Sequence, residues 1–143
     1  MSFSRDIDRF KRKTQDRSGQ FVRLLVSKLA ESLIFKTPVG DPSRWKSGYA
    51  PAGYVGGTAR ANWQYGNGSI PLSFLDVQDS TGERTLGRLI NATRSSDPYS
   101  VHYITNNTPY IQELEDGHST QAPRGMLKTT LLEFRPVFNA IKV

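Results

Sequence analysis

The sequence predicts an α+β fold, in which a long N-terminal helix and a C-terminal helix pack on one face of a small antiparallel sheet. Two observations that support this prediction are the apolar stripes at helical spacing, one near each end of the chain. A third is a set of short alternating segments between them, separated by turn residues. A length of 143 residues fits one domain. We therefore expect a single domain over residues 1–143 that also carries a long extended loop.

The first helix is expected from Phe3 to about Phe35, because apolar residues recur three and four positions apart and no proline intervenes before Pro38. Its second half carries the stripe that we expect to be buried, at Phe21, Leu24, Leu25, Lys28, Leu29, Ser32 and Leu33. Gly19 leaves two alternatives open. Either the helix is continuous, or residues 1–19 form a separate basic arm ahead of a core helix at residues 20–35.

The positive charge of the chain lies in its first half. The net charge is +6, and residues 1–70 hold twelve Lys and Arg against five Asp and Glu. Such asymmetry is typical of nucleic-acid binding, or of docking against an acidic protein or a neighbouring copy. We expect the basic arm to contact an acidic partner or DNA through Arg5, Arg9, Lys11, Arg12, Lys13 and Arg17.

Residues 37–57 read as a long loop, since they contain three prolines and five glycines and almost no periodicity. Loops of this length inside compact domains are commonly functional. Trp45, Tyr49 and Tyr54 are large amphipathic side chains that need a surface to cover them. We expect them to form a subunit or connector interface. The alternative is that they fold back on the core of their own domain.

The middle of the chain reads as strands around one helix. Residues 59–65 and 70–78 alternate in polarity around a Gly-Asn-Gly turn and predict a hairpin, with Pro71 placing the second strand late or at an edge. Ser80 and Glu83 have the spacing of a capping box, which predicts a helix to about Thr93. Residues 99–105 are β-rich and predict a further strand.

The stretch YIQELEDGHS at 110–119 gathers acids, a histidine and a serine, and so raises the question of an active site. Helical spacing indicates a short helix and its stop signal rather than an active site. We expect Thr108 to cap this helix, Pro109 to begin it and Gly117 to end it. Its polar side faces solvent, with Gln112, Glu113, Glu115 and Asp116. His118 and Ser119 follow the helix in a loop. The last helix is expected from about Arg124, with an apolar face at Met126, Leu127, Thr130, Leu131, Phe134, Phe138 and Ile141 and a kink at Pro136.

The composition argues against several function classes. The chain has no cysteine, and its two histidines, His102 and His118, belong to different predicted elements. A hydrolytic triad or an H-E-x-x-H metal site is therefore not indicated. We expect no enzymatic activity, no catalytic or metal-binding residues and no cofactor. No apolar run approaches the ~20 residues that span a bilayer, so we expect no membrane association and a cytoplasmic protein.

Two stretches are similar to motifs of the head–tail joining, or tail-completion, proteins of tailed bacteriophages. They are TPVGDPSRWKSGYAPAGYVGGTARANWQ at 37–64 and YITNNTPYIQELEDGHSTQAPRGML at 103–127. The positions expected to determine the fold are Pro38, Gly57, Arg60, Trp63, Asn106, Asn107, Pro109, Tyr110, Gly117, His118 and Pro123. Further matches are Thr37, Leu114, Glu115, Ser119, Gln121, Ala122, Gly125 and Met126.

The resemblance implies a structural virion protein, made in the host cytoplasm and placed at the head–tail interface. Proteins of this family are ring-forming adaptors, usually hexameric. Their partners are further copies of themselves, a portal-connector or adaptor protein on the head side, and the tail tube or tail terminator protein on the tail side. DNA passes through the lumen and offers non-specific contact. The alternative function that the residues leave open is a basic nucleic-acid-binding protein.

Overall fold

The computed structural model describes residues 3–40 and 56–140, and within them the α+β prediction is confirmed. In these two ranges, five helices accompany one antiparallel sheet of two strands. The elements in chain order are α1 Phe3–Lys36, α2 Thr58–Ala61, β1 Trp63–Asn67, α3 Glu83–Arg94, β2 His102–Asn106, α4 Ile111–Glu115 and α5 Leu127–Ala140.

Helix α1 runs through Gly19 without a break, so the alternative of two separate pieces is wrong. Glycine costs about 1 kcal/mol in a helix interior relative to alanine. It is needed here for a close approach: a Cβ on Gly19 would lie 2.9 Å from Cγ of Pro98. The helix therefore passes directly over the loop that leads into β2.

The buried side of α1 is rotated from the predicted stripe. Ala30, Leu33 and Ile34 are buried, whereas Phe21 and Leu24 are about half exposed. The small Ala30 side chain lets α1 lie close to its neighbours α3 and α5, which places that side of the helix against the core. The core cluster consists of Ala30, Leu33, Ile34, Trp63, Leu89, Ala122 and Met126.

The sheet pairs strands that are distant in the chain. Trp63 lies opposite Asn106, and Asn67 lies opposite His102. The predicted hairpin is wrong, because residues 70–78 form no strand and β1 takes β2 as its partner. The first predicted strand is also shorter than expected, since residues 58–61 form the helical turn α2.

Residues 70–75, which we call the strap, cross the sheet without a turn or bend and are held by side-chain amides. Asn62 makes a reciprocal pair with Leu75, accepting its N–H at 2.7 Å and donating to its carbonyl at 2.9 Å. Gln64 and Asn107 both donate to the carbonyl of Ser73. These side chains form hydrogen bonds with inward-facing backbone groups of the strap. The strap therefore lies against the sheet without joining its ladder of backbone hydrogen bonds.

The helix ends follow local signals only in part. The end of α4 is confirmed: Gly117 has φ 89°, His118 N–H bonds to Glu113 O, and Gly117 N–H bonds to Leu114 O, which is a Schellman motif. The prediction that the Thr108 side chain caps the start of α4 is wrong. Thr108 Oγ1 has no hydrogen-bond partner among the described residues, and it is the Thr108 carbonyl that accepts Ile111 N–H.

Helix α5 begins at Leu127, three residues later than predicted, and contains Pro136. Its apolar face is only partly covered: Thr130 is fully buried, but Leu131 and Leu132 remain about half exposed. A cleft of about 500 Å³ runs along this exposed side between Lys128 and Phe138. No helix within residues 3–40 and 56–140 is long and apolar enough to span a bilayer.

Candidate assembly interface

The two motif segments meet where the chain leaves the described structure, after Gly40. The side chain of Gln121 forms a reciprocal pair with Val39, accepting its N–H at 3.1 Å and donating to its carbonyl at 2.8 Å. These residues are 82 positions apart. Trp45, Tyr49 and Tyr54 lie outside the described residues, so their interface role stays a prediction.

The chain returns at Gly56, and Gly57 then packs tightly against the segment before α3. Gly57 has φ +91°, and a Cβ there would lie 2.5 Å from Asp79 C and 2.5 Å from Ser80 N. Its carbonyl accepts Ala61 N–H at 2.9 Å and Asp79 N–H at 3.2 Å. Both ends of residues 41–55 are therefore attached to ordered backbone.

Arg60 closes the end of α1. Its Nη2 donates to Thr37 O at 2.8 Å and to Phe35 O at 3.3 Å, and its Nη1 donates to Ser80 O at 2.7 Å. The last carbonyls of a helix lack intrahelical partners and carry partial negative charge, so a guanidinium is well suited to cap them. Burial lowers the pKa of Arg60, and the charge of Asp79 offsets part of that lowering.

Thr37 links this cap to the core. Trp63 Nε1 donates to Thr37 Oγ1 at 2.7 Å, and the Thr37 hydroxyl donates to Leu33 O at 2.6 Å. Asn106 Nδ2 donates to Ala59 O at 2.8 Å and so ties β2 to the first motif. The structure thus brings the first-motif positions Thr37, Arg60 and Trp63 together and joins them to the second motif.

The other positions expected to determine the fold lie around this cluster. Asn106 also accepts Thr108 N–H and turns the chain after β2, while Asn107 holds the strap. A Cβ on Gly117 would lie 2.4 Å from Pro123 O, so this pair packs closely. Three further positions are placed as follows: Pro38 is buried just after α1, and Pro109 and Tyr110 are exposed before α4.

Asp79, which sequence reasoning missed, is buried at the start of α3. Its Oδ1 accepts Gly82 N–H at 3.1 Å and the Thr81 hydroxyl at 3.3 Å, and its Oδ2 accepts Thr85 N–H and the Thr85 hydroxyl, both at 2.8 Å. Burial raises the pKa of Asp79, but these hydrogen bonds outweigh it and leave that pKa lowered. Asp79 therefore performs the capping that the sequence assigned to Ser80, because Gly82 at φ 80° folds the chain back over it.

Glu115 corrects the expectation that all four polar side chains of α4 face solvent. Its carboxylate accepts the N–H groups of Met126, Leu127 and Lys128 at 2.8–3.0 Å and so caps α5. Gln112, Glu113 and Asp116 are exposed as predicted. The spacing within α4 could not reveal this role, although Glu115 does match the second motif.

The histidines occupy different settings. His118 is exposed in the loop after α4, and within the described residues no hydrogen bond joins its ring to Ser119 or to a carboxylate. His102 Nε2 donates to Pro98 O at 2.9 Å, and its Nδ1 accepts the Tyr65 hydroxyl at 2.6 Å. Both ring nitrogens of His102 thus hold β1, β2 and the preceding loop together. No group of three potential metal ligands occurs in the described parts of the chain.

The basic arm is the first half of α1. The side chains of Arg5, Arg9, Arg12, Lys13 and Arg17 are exposed, while the side chain of Lys11 lies outside the described residues. At 3.6 residues per turn, these five side chains lie along one side of the helix over a length of about 18 Å. They present a basic stripe to solvent, with the exposed Asp6 near its start.

Comparison with protein-family models, with curated proteins and with solved structures finds no match for this chain. The resemblance to head–tail joining proteins accordingly rests on the two sequence motifs.

Proposed function

We propose that this protein is a structural virion protein of a tailed bacteriophage. It forms a ring adaptor at the head–tail interface, through which DNA passes. The observation that most supports the proposal is the attachment of residues 41–55 by both motif segments: Gln121 holds Val39 on one side, and Gly57 packs against Asp79 on the other. An aromatic loop held at both ends is suited to reach a neighbouring subunit or the connector.

The distribution of charge and apolar surface also favours contact between unlike surfaces. A closed ring is built from heterologous contacts, in which one surface of a copy meets a different surface of the next. The exposed arginines of α1 lie on one element and the exposed acids Glu113 and Asp116 on another. The uncovered face of α5, with Leu131 and Leu132 beside Lys128, adds apolar area for such a contact.

Replacing Trp45 and Tyr49 by alanine is expected to reduce the yield of tailed, infectious particles, because interface anchors of this kind commonly contribute ~2 kcal/mol or more to binding. The melting temperature of the isolated protein is expected to stay unchanged. The measurements are a plaque assay with electron microscopy of particles, and thermal unfolding of the purified variant.

The matched control is Phe21→Ala, which removes an exposed aromatic side chain outside the loop and is expected to leave particle yield unchanged. Normal yield from the Trp45 and Tyr49 variant would contradict the interface. A large fall in its melting temperature would show instead that the loop packs on the core of its own domain.

The basic stripe on α1 favours a second candidate function, which is binding of nucleic acid. If the stripe contacts duplex DNA, affinity falls steeply with salt, with a slope of about −0.9 per neutralised phosphate in a double-logarithmic plot. Replacing Arg5, Arg9, Arg12 and Lys13 by glutamine is then expected to weaken binding and flatten that slope. Fluorescence anisotropy over a range of salt concentrations measures both quantities.

The control for this experiment is the pair Arg94→Gln and Arg124→Gln, which removes exposed charge elsewhere. Loss of particle assembly without any duplex affinity would assign the stripe to an acidic protein partner. If neither DNA binding nor assembly changes in the α1 variant, the stripe has neither role.

A further inference from the structure

The strap presents an unpaired backbone edge to solvent. Four of its inward-facing groups, the carbonyls of Pro71 and Ser73 and both groups of Leu75, are bonded to side-chain amides. In an extended chain the backbone groups of alternate residues point to opposite sides. Those of Ile70, Leu72 and Phe74 therefore point away from the sheet, and among the described residues none of them has a hydrogen-bond partner.

The side chains beside this edge are apolar and uncovered. Ile70 is 52% exposed, Leu72 83% and Phe74 48%. Pro71, which has no N–H, occupies an inward-facing position, so the outward edge keeps a complete row of donors and acceptors. Unpaired N–H and C=O groups at a period of two select another extended backbone as their partner.

We propose that two copies of this chain pair through their straps as antiparallel strands centred on Leu72. The edge is self-complementary about this residue. Leu72 faces Leu72 of the partner subunit, and each Ile70 faces the Phe74 position of the other copy. Aliphatic and aromatic side chains directly opposite each other stabilise antiparallel pairs. Each of the three facing pairs exchanges two backbone hydrogen bonds.

The absence of charge around the strap allows a second copy of the chain to bind this edge. The whole chain carries +6, so two copies repel each other on average. Residues 61–75 contain no charged side chain, and the strap lies within this neutral stretch. Antiparallel pairing also keeps the two Asp76 side chains apart, because they lie at opposite ends of the paired region.

The size of the contact sets its strength. Three apolar side chains from each copy bury well under the roughly 1,200 Å² of total surface typical of a stable interface, so the pairing is weak and reversible. Two-fold pairing occupies the edge of both copies, and association therefore stops at a dimer. The pairing uses residues outside the range 37–57 and does not rest on the ring proposal.

The test uses engineered cysteines, which report single positions because the chain has none of its own. In Leu72→Cys the two Cα atoms of a hydrogen-bonded antiparallel pair lie about 5.5 Å apart, within disulfide range. Mild oxidation of the purified full chain is expected to yield a covalent dimer. Phe74→Cys alone is expected to remain monomeric, since the two copies of position 74 lie about 13 Å apart.

Mixing Ile70→Cys with Phe74→Cys restores a covalent dimer of the two variants, which mass spectrometry identifies. Leu24→Cys, at a 57% exposed leucine on α1, is the matched control for random collision. We expect the dimer fraction of Leu72→Cys to exceed that control about tenfold, because pairing raises the local thiol concentration. Equal fractions at positions 72 and 24, or efficient dimerisation of Phe74→Cys by itself, would overturn the proposal. All four positions are about half exposed or more, and unchanged melting temperatures confirm folding.

Discussion

Asp79→Asn is expected to lower the free energy of unfolding by about 3 kcal/mol, because a buried acceptor of four hydrogen bonds is replaced by a group that is half donor. Each carboxylate oxygen accepts one backbone N–H, from Gly82 or from Thr85. Either orientation of the new amide therefore points its NH₂ group at a backbone N–H. The negative charge beside Arg60 and Arg88 is also lost. Urea unfolding at neutral pH measures the change.

The effect of Asp79 also depends on pH with a defined sign. The pKa of Asp79 is lowered from its ordinary value of 3.8, so the folded state binds this proton less tightly than the unfolded state. Its contribution to stability is complete above that ordinary value and is lost as pH falls through the folded-state pKa. The difference in stability between the wild type and Asp79→Asn is therefore expected to shrink as the pH is lowered below 3.8.

Asp76→Asn is the matched control, since Asp76 is exposed and lies only three residues away. We expect a change within about 0.5 kcal/mol, as is usual for surface substitutions. If Asp79→Asn is no more destabilising than Asp76→Asn, the hydrogen bonds to Asp79 do not hold the start of α3.

Gly57→Ala is expected to destabilise the protein by about 3 kcal/mol or more, through backbone strain and overlap together. The φ of +91° disfavours any side chain, and the new Cβ would lie 2.5 Å from the backbone at Asp79 and Ser80. Backbone atoms cannot move aside as a flexible side chain can. The strain falls where the chain returns after residue 55, so the attachment of the loop and the start of α3 are disturbed together. Thermal and urea unfolding report the loss.

Gly87→Ala provides a control of opposite sign. Gly87 is exposed within α3, and a Cβ there would meet nothing within 4 Å. Alanine is the better helix former, so we expect a gain of about 0.5–1 kcal/mol. Equal effects of the two substitutions would show that the close approach at Gly57 does not constrain the fold.

Elements with local signals could be predicted well. The first helix ends where Pro38 excludes helical backbone, and α4 ends at the left-handed Gly117. These signals act between residues at most five positions apart, through the sterics of proline and the freedom of glycine. The helix that begins near Glu83 was also expected, although Asp79 rather than Ser80 caps it.

Strand pairing could not be predicted in the same way. The glycines at 66 and 68 gave a local hairpin signal, yet β1 pairs with β2. Asn62 and Gln64 bind the backbone of the strap through their side chains, which keeps residues 70–75 out of the ladder. Polarity patterns do not show whether an amide side chain will bind water or a distant carbonyl.

The features of the candidate site likewise fall into two groups, those that follow from the sequence and those that depend on the tertiary structure. The sequence by itself determined the α+β class, the span of α1, the basic stripe along its first half, and the motif positions Thr37, Arg60 and Trp63. Only the tertiary structure decided that Arg60 caps α1, that Gln121 binds Val39 from 82 positions away, and that Glu115 caps α5. Helix spans and charge follow from short-range sterics and composition. A polar side chain, by contrast, takes whichever partner the packed chain brings within about 3 Å, and that partner is set by the whole fold.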